Sequence, residues 1–122
     1  MSEPLAPTLD QAVLAGLRDS VGGDDAFVAD LVETYLADGA DQVAAIEAAL
    51  NAGDAAALVR PAHTLKSASY TVGAMRLGDL ARTLEQGARA DGPADASVDL
   101  EAVTTAWSAT ERALRAWLAG TR

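Results

Sequence analysis

Apolar residues return every three or four positions along most of this chain, the spacing of amphipathic helices and not of strands. Between Asp24 and Leu50 the positions Val28, Leu31, Tyr35, Gly39, Val43, Ile46 and Leu50 step without a break. They predict one long helix, with Gly39 tolerated at some cost in its middle. Before it, Thr8-Leu-Asp-Gln11 has the form of a capping box, opening a short helix that stops at Gly22-Gly23. Asp24 or Asp25 caps the long helix and Asn51-Ala-Gly53 ends it. Asp54 caps a third helix, which ends at Gly73; a fourth buries Leu77, Leu80, Ala81, Leu84 and Ala88. Asp91-Gly-Pro-Ala-Asp95 reads as a loop. The last helix carries Leu100, Val103, Trp107, Thr110, Leu114 and Trp117 as a near-heptad seam. No strand-like alternation competes. The expectation is an all-α fold: an antiparallel up-down-up-down four-helix bundle with an additional short N-terminal helix as a cover.

Composition narrows this further. A chain of 122 residues supports one domain, 1–122, around one core. Half of it is apolar but only 4% aromatic, so the core is built from Ala, Leu and Val, which suit closely packed helices. Without cysteine there is no disulfide frame and no thiolate metal site. Met1–Pro7 is acidic and proline-bearing, unlike a signal peptide, and no apolar run approaches ~18 residues, so a cytoplasmic address without a membrane span is expected. The net charge of −9 argues against nucleic acid, which requires clustered Lys and Arg. It leaves open a protein partner with a basic rim, or a charge that serves solubility alone.

The candidate chemistry centres on His63, the sole histidine. With about 100° of turn per residue, Leu58, Leu65, Ser69 and Val72 fall at roughly 180° to 240° from it. The imidazole therefore faces away from the core, which sets aside a packed core histidine but leaves open a solvated one without a role. Within roughly 60° lie Val59, Arg60, Lys66, Ser67 and Tyr70. Lys66 supplies an ammonium able to neutralise phosphate charge, and it favours the neutral, nucleophilic imidazole. Ser67 is small enough for another protein's site to approach and offers a hydroxyl to phosphoryl oxygens. Val59 and Tyr70 add apolar contact. By spacing alone, Arg60 and Lys66 are equally read as ordinary solvated helix charges. Pro61 deletes one backbone hydrogen bond, to the carbonyl of Ala57, and either tilts His63 outward or is a tolerated flaw.

The stretch His63-Thr-Leu65-Lys66-Ser67-Ala68-Ser69, followed by Gly73-Ala74 and Leu77, Leu80, Leu84 and Glu85, resembles the histidine-containing phosphotransfer (HPt) domains of phosphorelays. Their pattern is His-x-Leu-Lys-Gly-Ser-Ser, then Gly-Ala and a leucine-rich helix. Phe27–Leu36 is similar to the family's second helix, and Gly53-Asp54 to its entry into the histidine helix. The resemblance spans about residues 9–118. Ser67 and Ala68 depart from the usual glycine and serine but stay small. By this resemblance His63 is the phosphoacceptor, on a ring nitrogen expected to be Nε2, and Lys66 holds the phosphoryl oxygens. Glu85 and Arg89 match positions near the imidazole in some members; here they also fit a surface i,i+4 ion pair worth little.

What the resemblance implies is a phosphorelay intermediate, a phosphocarrier and not an enzyme with its own turnover. It would take the phosphoryl group from the receiver domain of a hybrid histidine kinase and pass it to a response regulator. This chain would bind no cofactor or metal; the receiver would bring the acceptor aspartate and Mg²⁺. In-line transfer asks for little beyond positioning and charge neutralisation, which suits so bare a site. A free-standing monomer is expected. The alternative is a helical adaptor that docks a partner without phosphorylation. A metal enzyme finds no support, because no Glu-x-x-His pair of the di-iron kind is present.

Overall fold

The computed structural model describes residues 6–91 and 100–121. Every regular element among them is helical: α1 (Gln11–Ser20), α2 (Asp25–Ala52), α3 (Ala55–Val72), α4 (Met75–Asp91) and α5 (Leu100–Thr121). No strand occurs among the described residues. Helix α3 packs on α2 and α4, α5 packs on α2 and α4, and α1 lies against α2 and α3.

Aspartates start three of the helices. The Asp24 carboxylate accepts from Phe27 N at 3.1 Å, and that of Asp54 from Ala57 N at 3.0 Å, each satisfying a backbone donor the helix leaves open. The start of α1 differs from the expected Thr8 capping box. Asp10 is the cap, accepting from Ala12 N at 3.0 Å, and Gln11 is the first helical residue. The cause is tertiary. Asp10 N donates to the Gly73 carbonyl at 2.8 Å, which pins the chain entering α1 to the corner between α3 and α4. Arg76 extends the same seam, with its backbone N on the Pro7 carbonyl and its Nε on the Ala6 carbonyl, each at 3.0 Å. Gly73 makes this corner possible. Its φ is +85°, and a Cβ there would lie 2.6 Å from the Asp10 carbonyl oxygen.

The core is aliphatic. Leu14, Val28, Val32, Ile46, Leu58, Leu65, Val72, Leu77, Leu84, Val103 and Leu114 are all buried. The buried face of α2 is wider than the single stripe read from spacing. Ala29, Val32, Leu36 and Ala49 are buried as well, while Leu31 and Leu50 are only half-buried, because α2 packs against α1, α3 and α5 together. In α5 the seam is Val103, Ala106, Thr110, Leu114 and Leu118; Leu100, Trp107 and Trp117 sit half-buried at its edges. Thr110 is accommodated because its hydroxyl donates to the Ala106 carbonyl at 2.8 Å. Gly39 is more than a tolerated flaw: a Cβ there would lie 2.7 Å from the far edge of the Trp107 indole. Glycine lets α5 lay that ring directly on the α2 backbone, where it also meets the Tyr35 ring at 5.9 Å.

Pro61 is buried and α3 runs unbroken through it from Ala55 to Val72. Of the loop expected at 91–95, only the backbone of Asp91, at the end of α4, falls within the described residues. Among the described residues no helix is long and apolar enough to cross a membrane.

Candidate functional site

Helix α3 sets the direction of its side chains. Leu58, Leu65, Ser69 and Val72 are buried, and the His63 side chain, across the helix from them, is 53% exposed. Ser69 tolerates burial because its hydroxyl pairs with that of Tyr35 on α2 at 2.8 Å. Burial of this pair pushes the Tyr35 phenol up to about 12, despite the hydrogen bond from Ser69 working the other way. Around His63, Arg60 and Ser67 are exposed, Val59 is half-buried against the core, and Lys66 is partly covered. Tyr70 is committed elsewhere than the apolar contact read for it. Its hydroxyl donates to Asp79 at 2.5 Å, and its ring lies over Gly78, so it ties α3 to α4. Burial and the Asp79 carboxylate both raise its pKa.

The organising residue of the site is Glu85 on α4. It is 5% exposed, and its two oxygens gather three side chains. Oε2 lies 2.7 Å from His63 Nδ1. The same oxygen accepts from Arg89, at 3.2 Å from Nε and 3.0 Å from a terminal nitrogen. Oε1 accepts from Lys66 Nζ at 2.7 Å. The Lys66 ammonium, then Arg89 and His63, draw the carboxyl down to about 2 against the opposing effect of burial. Glu85 is therefore ionised throughout the neutral range.

Of the two readings of Glu85 and Arg89, beside the imidazole or a surface ion pair worth little, the geometry agrees with the first. The i,i+4 pair exists, but its acid is buried and shared with α3. The sequence carried a signal for it. On the α4 wheel Glu85 lies within about 60° of both Ala81 and Ala88, two residues of the buried stripe. An acid so close to that stripe needs partners from a neighbouring helix, and α3 supplies them. Lys66, the residue expected to hold the phosphoryl oxygens, is bonded to Glu85 in this structure.

The geometry decides the chemistry of the imidazole. An ionised carboxylate can only accept, so the 2.7 Å contact requires the proton on Nδ1. In the neutral ring the lone pair then resides on Nε2, and a ring held by its Nδ1 edge exposes the other edge. The carboxylate also fixes the tautomer and orientation, and it would stabilise positive charge developing on the ring. The result is a preorganised nitrogen nucleophile with two cations, Lys66 and Arg89, on the same carboxylate. Among the described residues there is no group of three or more His, Cys, Asp or Glu side chains placed to hold a metal ion.

Comparison with known proteins bears on this arrangement. The Hpt domain family matches residues 30–119, which takes in most of α2 and all of α3 and α4. Among solved structures, the chain is similar to histidine-containing phosphotransfer protein B (HptB) from Pseudomonas aeruginosa PAO1. The TM-score is 0.65 and the identity 29%, over 95% of this chain and 92% of that one. No curated protein matches significantly.

Proposed function

The chain belongs to the Hpt domain family, and on that footing we propose that it is a phosphorelay intermediate whose phosphoacceptor is Nε2 of His63. The observation that carries this reading is an exposed imidazole whose Nδ1 is held by the buried, ionised Glu85.

In the forward step the Nε2 lone pair attacks the phosphorus of an aspartyl phosphate on a receiver domain. The N–P bond forms as the P–O bond to the aspartate breaks, and that electron pair stays on the departing carboxylate. No proton need move. The ring keeps its Nδ1 proton and becomes a phosphorylated imidazolium, whose charge Glu85 faces. Lys66 and the Ser67 hydroxyl would neutralise and bond the phosphoryl oxygens, while Val59, Arg60 and the exposed part of Tyr70 would meet the partner's surface. The reverse step delivers the group to a second receiver.

The donor in this reading is the receiver domain of a hybrid histidine kinase, the acceptor a response regulator, and the Mg²⁺ belongs to the receiver. This chain serves as a phosphocarrier, not a catalyst, acting as a cytoplasmic monomer. Helices α2 to α5 form the up-down-up-down bundle, with α1 as its cover, and Gly73 holds the end of the histidine helix in place.

The test is incubation with a phosphorylated receiver. Acid-labile, base-stable label should appear on the wild-type protein and be absent from His63→Gln. Label persisting in that variant removes His63 from the mechanism; binding without any label favours an adaptor.

A further inference from the structure

Two demands fall on Lys66. In the resting protein its ammonium is bonded to Oε1 of Glu85 at 2.7 Å, and it is the largest influence on that carboxyl. A phosphoryl group on Nε2 brings about two negative charges at pH 7 beside it. Were Lys66 to turn outward with no replacement, a carboxylate 5% exposed would lose its strongest partner just as further negative charge arrived. Arg89 supplies the replacement. Its guanidinium makes two bonds to Oε2, the oxygen Lys66 does not use. It reaches the site from one turn along the same helix as Glu85 and bonds the other oxygen, so its contact does not depend on where Lys66 points.

Resting on the phosphocarrier reading above, we propose that Arg89 is a positioning residue: a standing counter-ion of Glu85 that releases Lys66 to the phosphoryl group on His63. Charge balance supports the division of labour. With the ring neutral, as attack through Nε2 requires, one carboxylate is shared by two cations and the ring, leaving one positive charge in surplus. After transfer the ring is cationic and the phosphoryl carries two negative charges, so the cluster of five groups becomes neutral. Without Arg89 the same cluster ends one charge negative, and Lys66 is held on Glu85. Arg89 acts through Lys66 and need not touch the phosphoryl oxygens.

The experiment is a double-mutant cycle on the phosphoryl equilibrium between His63 and a receiver aspartate, in wild type, Arg89→Ala, Lys66→Ala and the double variant. Arg89→Ala should lower the phosphohistidine share about fivefold. Arg89→Lys, which keeps the charge at the same turn, should recover it to within about twofold. In the Lys66→Ala background, loss of Arg89 should matter by less than about twofold. Circular dichroism should show all variants folded. An equal drop in both backgrounds would overturn the inference, because Arg89 would then act directly or through the fold. An unchanged equilibrium in Arg89→Ala overturns it as well. A wild-type protein that takes no label at all defeats the phosphocarrier reading first, and this inference with it.

Discussion

Replacing Glu85 by glutamine removes one charge from the middle of the site while keeping the size and shape of the side chain. The carboxyl titrates at about 2 in the fold against an ordinary 4.5. That difference corresponds to about 3 kcal/mol of charge-dependent stabilisation at neutral pH. The measured loss should be smaller, about 1–2 kcal/mol, because the partners have recourse to water or to the new amide. Lys66 and Arg89 are 24% and 59% exposed and can turn to solvent, and the glutamine oxygen can still accept from His63. The sign follows from linkage. A carboxyl whose folded pKa lies below its unfolded one stabilises fully above the unfolded value and loses that contribution as pH falls through the folded one. Urea unfolding of both proteins, followed through Trp107 and Trp117, should therefore show a gap that is full above about pH 5.5 and closes toward pH 2. The dependence on urea should stay the same in both, so that midpoints report stability. A gap of constant size from pH 7 to pH 2 would refute the electrostatic account and leave Glu85 as a matter of shape alone. In the same variant the His63 tautomer is no longer dictated, and phosphoryl uptake from a receiver should slow about tenfold.

Gly73→Ala should cost about 2–4 kcal/mol, since its backbone occupies left-handed space and a Cβ has no room beside the Asp10 carbonyl. A thermal midpoint equal to wild type would contradict this. Tyr35→Phe leaves the buried Ser69 hydroxyl without its partner and should cost about 1–2 kcal/mol in urea unfolding at pH 7. The alkaline limb adds a second check. The Tyr35 phenol is raised from 10.0 to about 12, so its neutral form favours the fold. That contribution is held below pH 10 and lost as pH rises toward 12. Wild type should therefore destabilise over that window more steeply than Tyr35→Phe, and parallel curves would rule the account out.

How far the sequence could be read depended on whether a feature is local. The all-helical character, an aspartate cap at Asp24 or Asp25, the cap at Asp54, the stop at Gly73 and the exposure of His63 all follow from spacing within one helix. Each is visible because an element's own period decides it. What spacing within one helix cannot supply is the register between helices. The capping-box spacing points to Thr8, whereas the Gly73 carbonyl, 63 positions away, claims the backbone of Asp10 and makes it the cap. Gly39 looked like a defect because the indole it admits belongs to α5. Glu85 is the instructive case, because half of its situation was legible: its angle on α4 placed it near the buried stripe. Its charge argued for the surface, and nothing within α4 weighs one against the other. The balance tips only when α3 brings Lys66 and His63 alongside, since their bonds offset the cost of burying the carboxylate. The same contact that permits the burial also sets the proton on Nδ1. Fold and tautomer here thus share one interhelical contact, and the residue hardest to place from sequence is the one that determines which nitrogen of His63 carries the proton and which the lone pair.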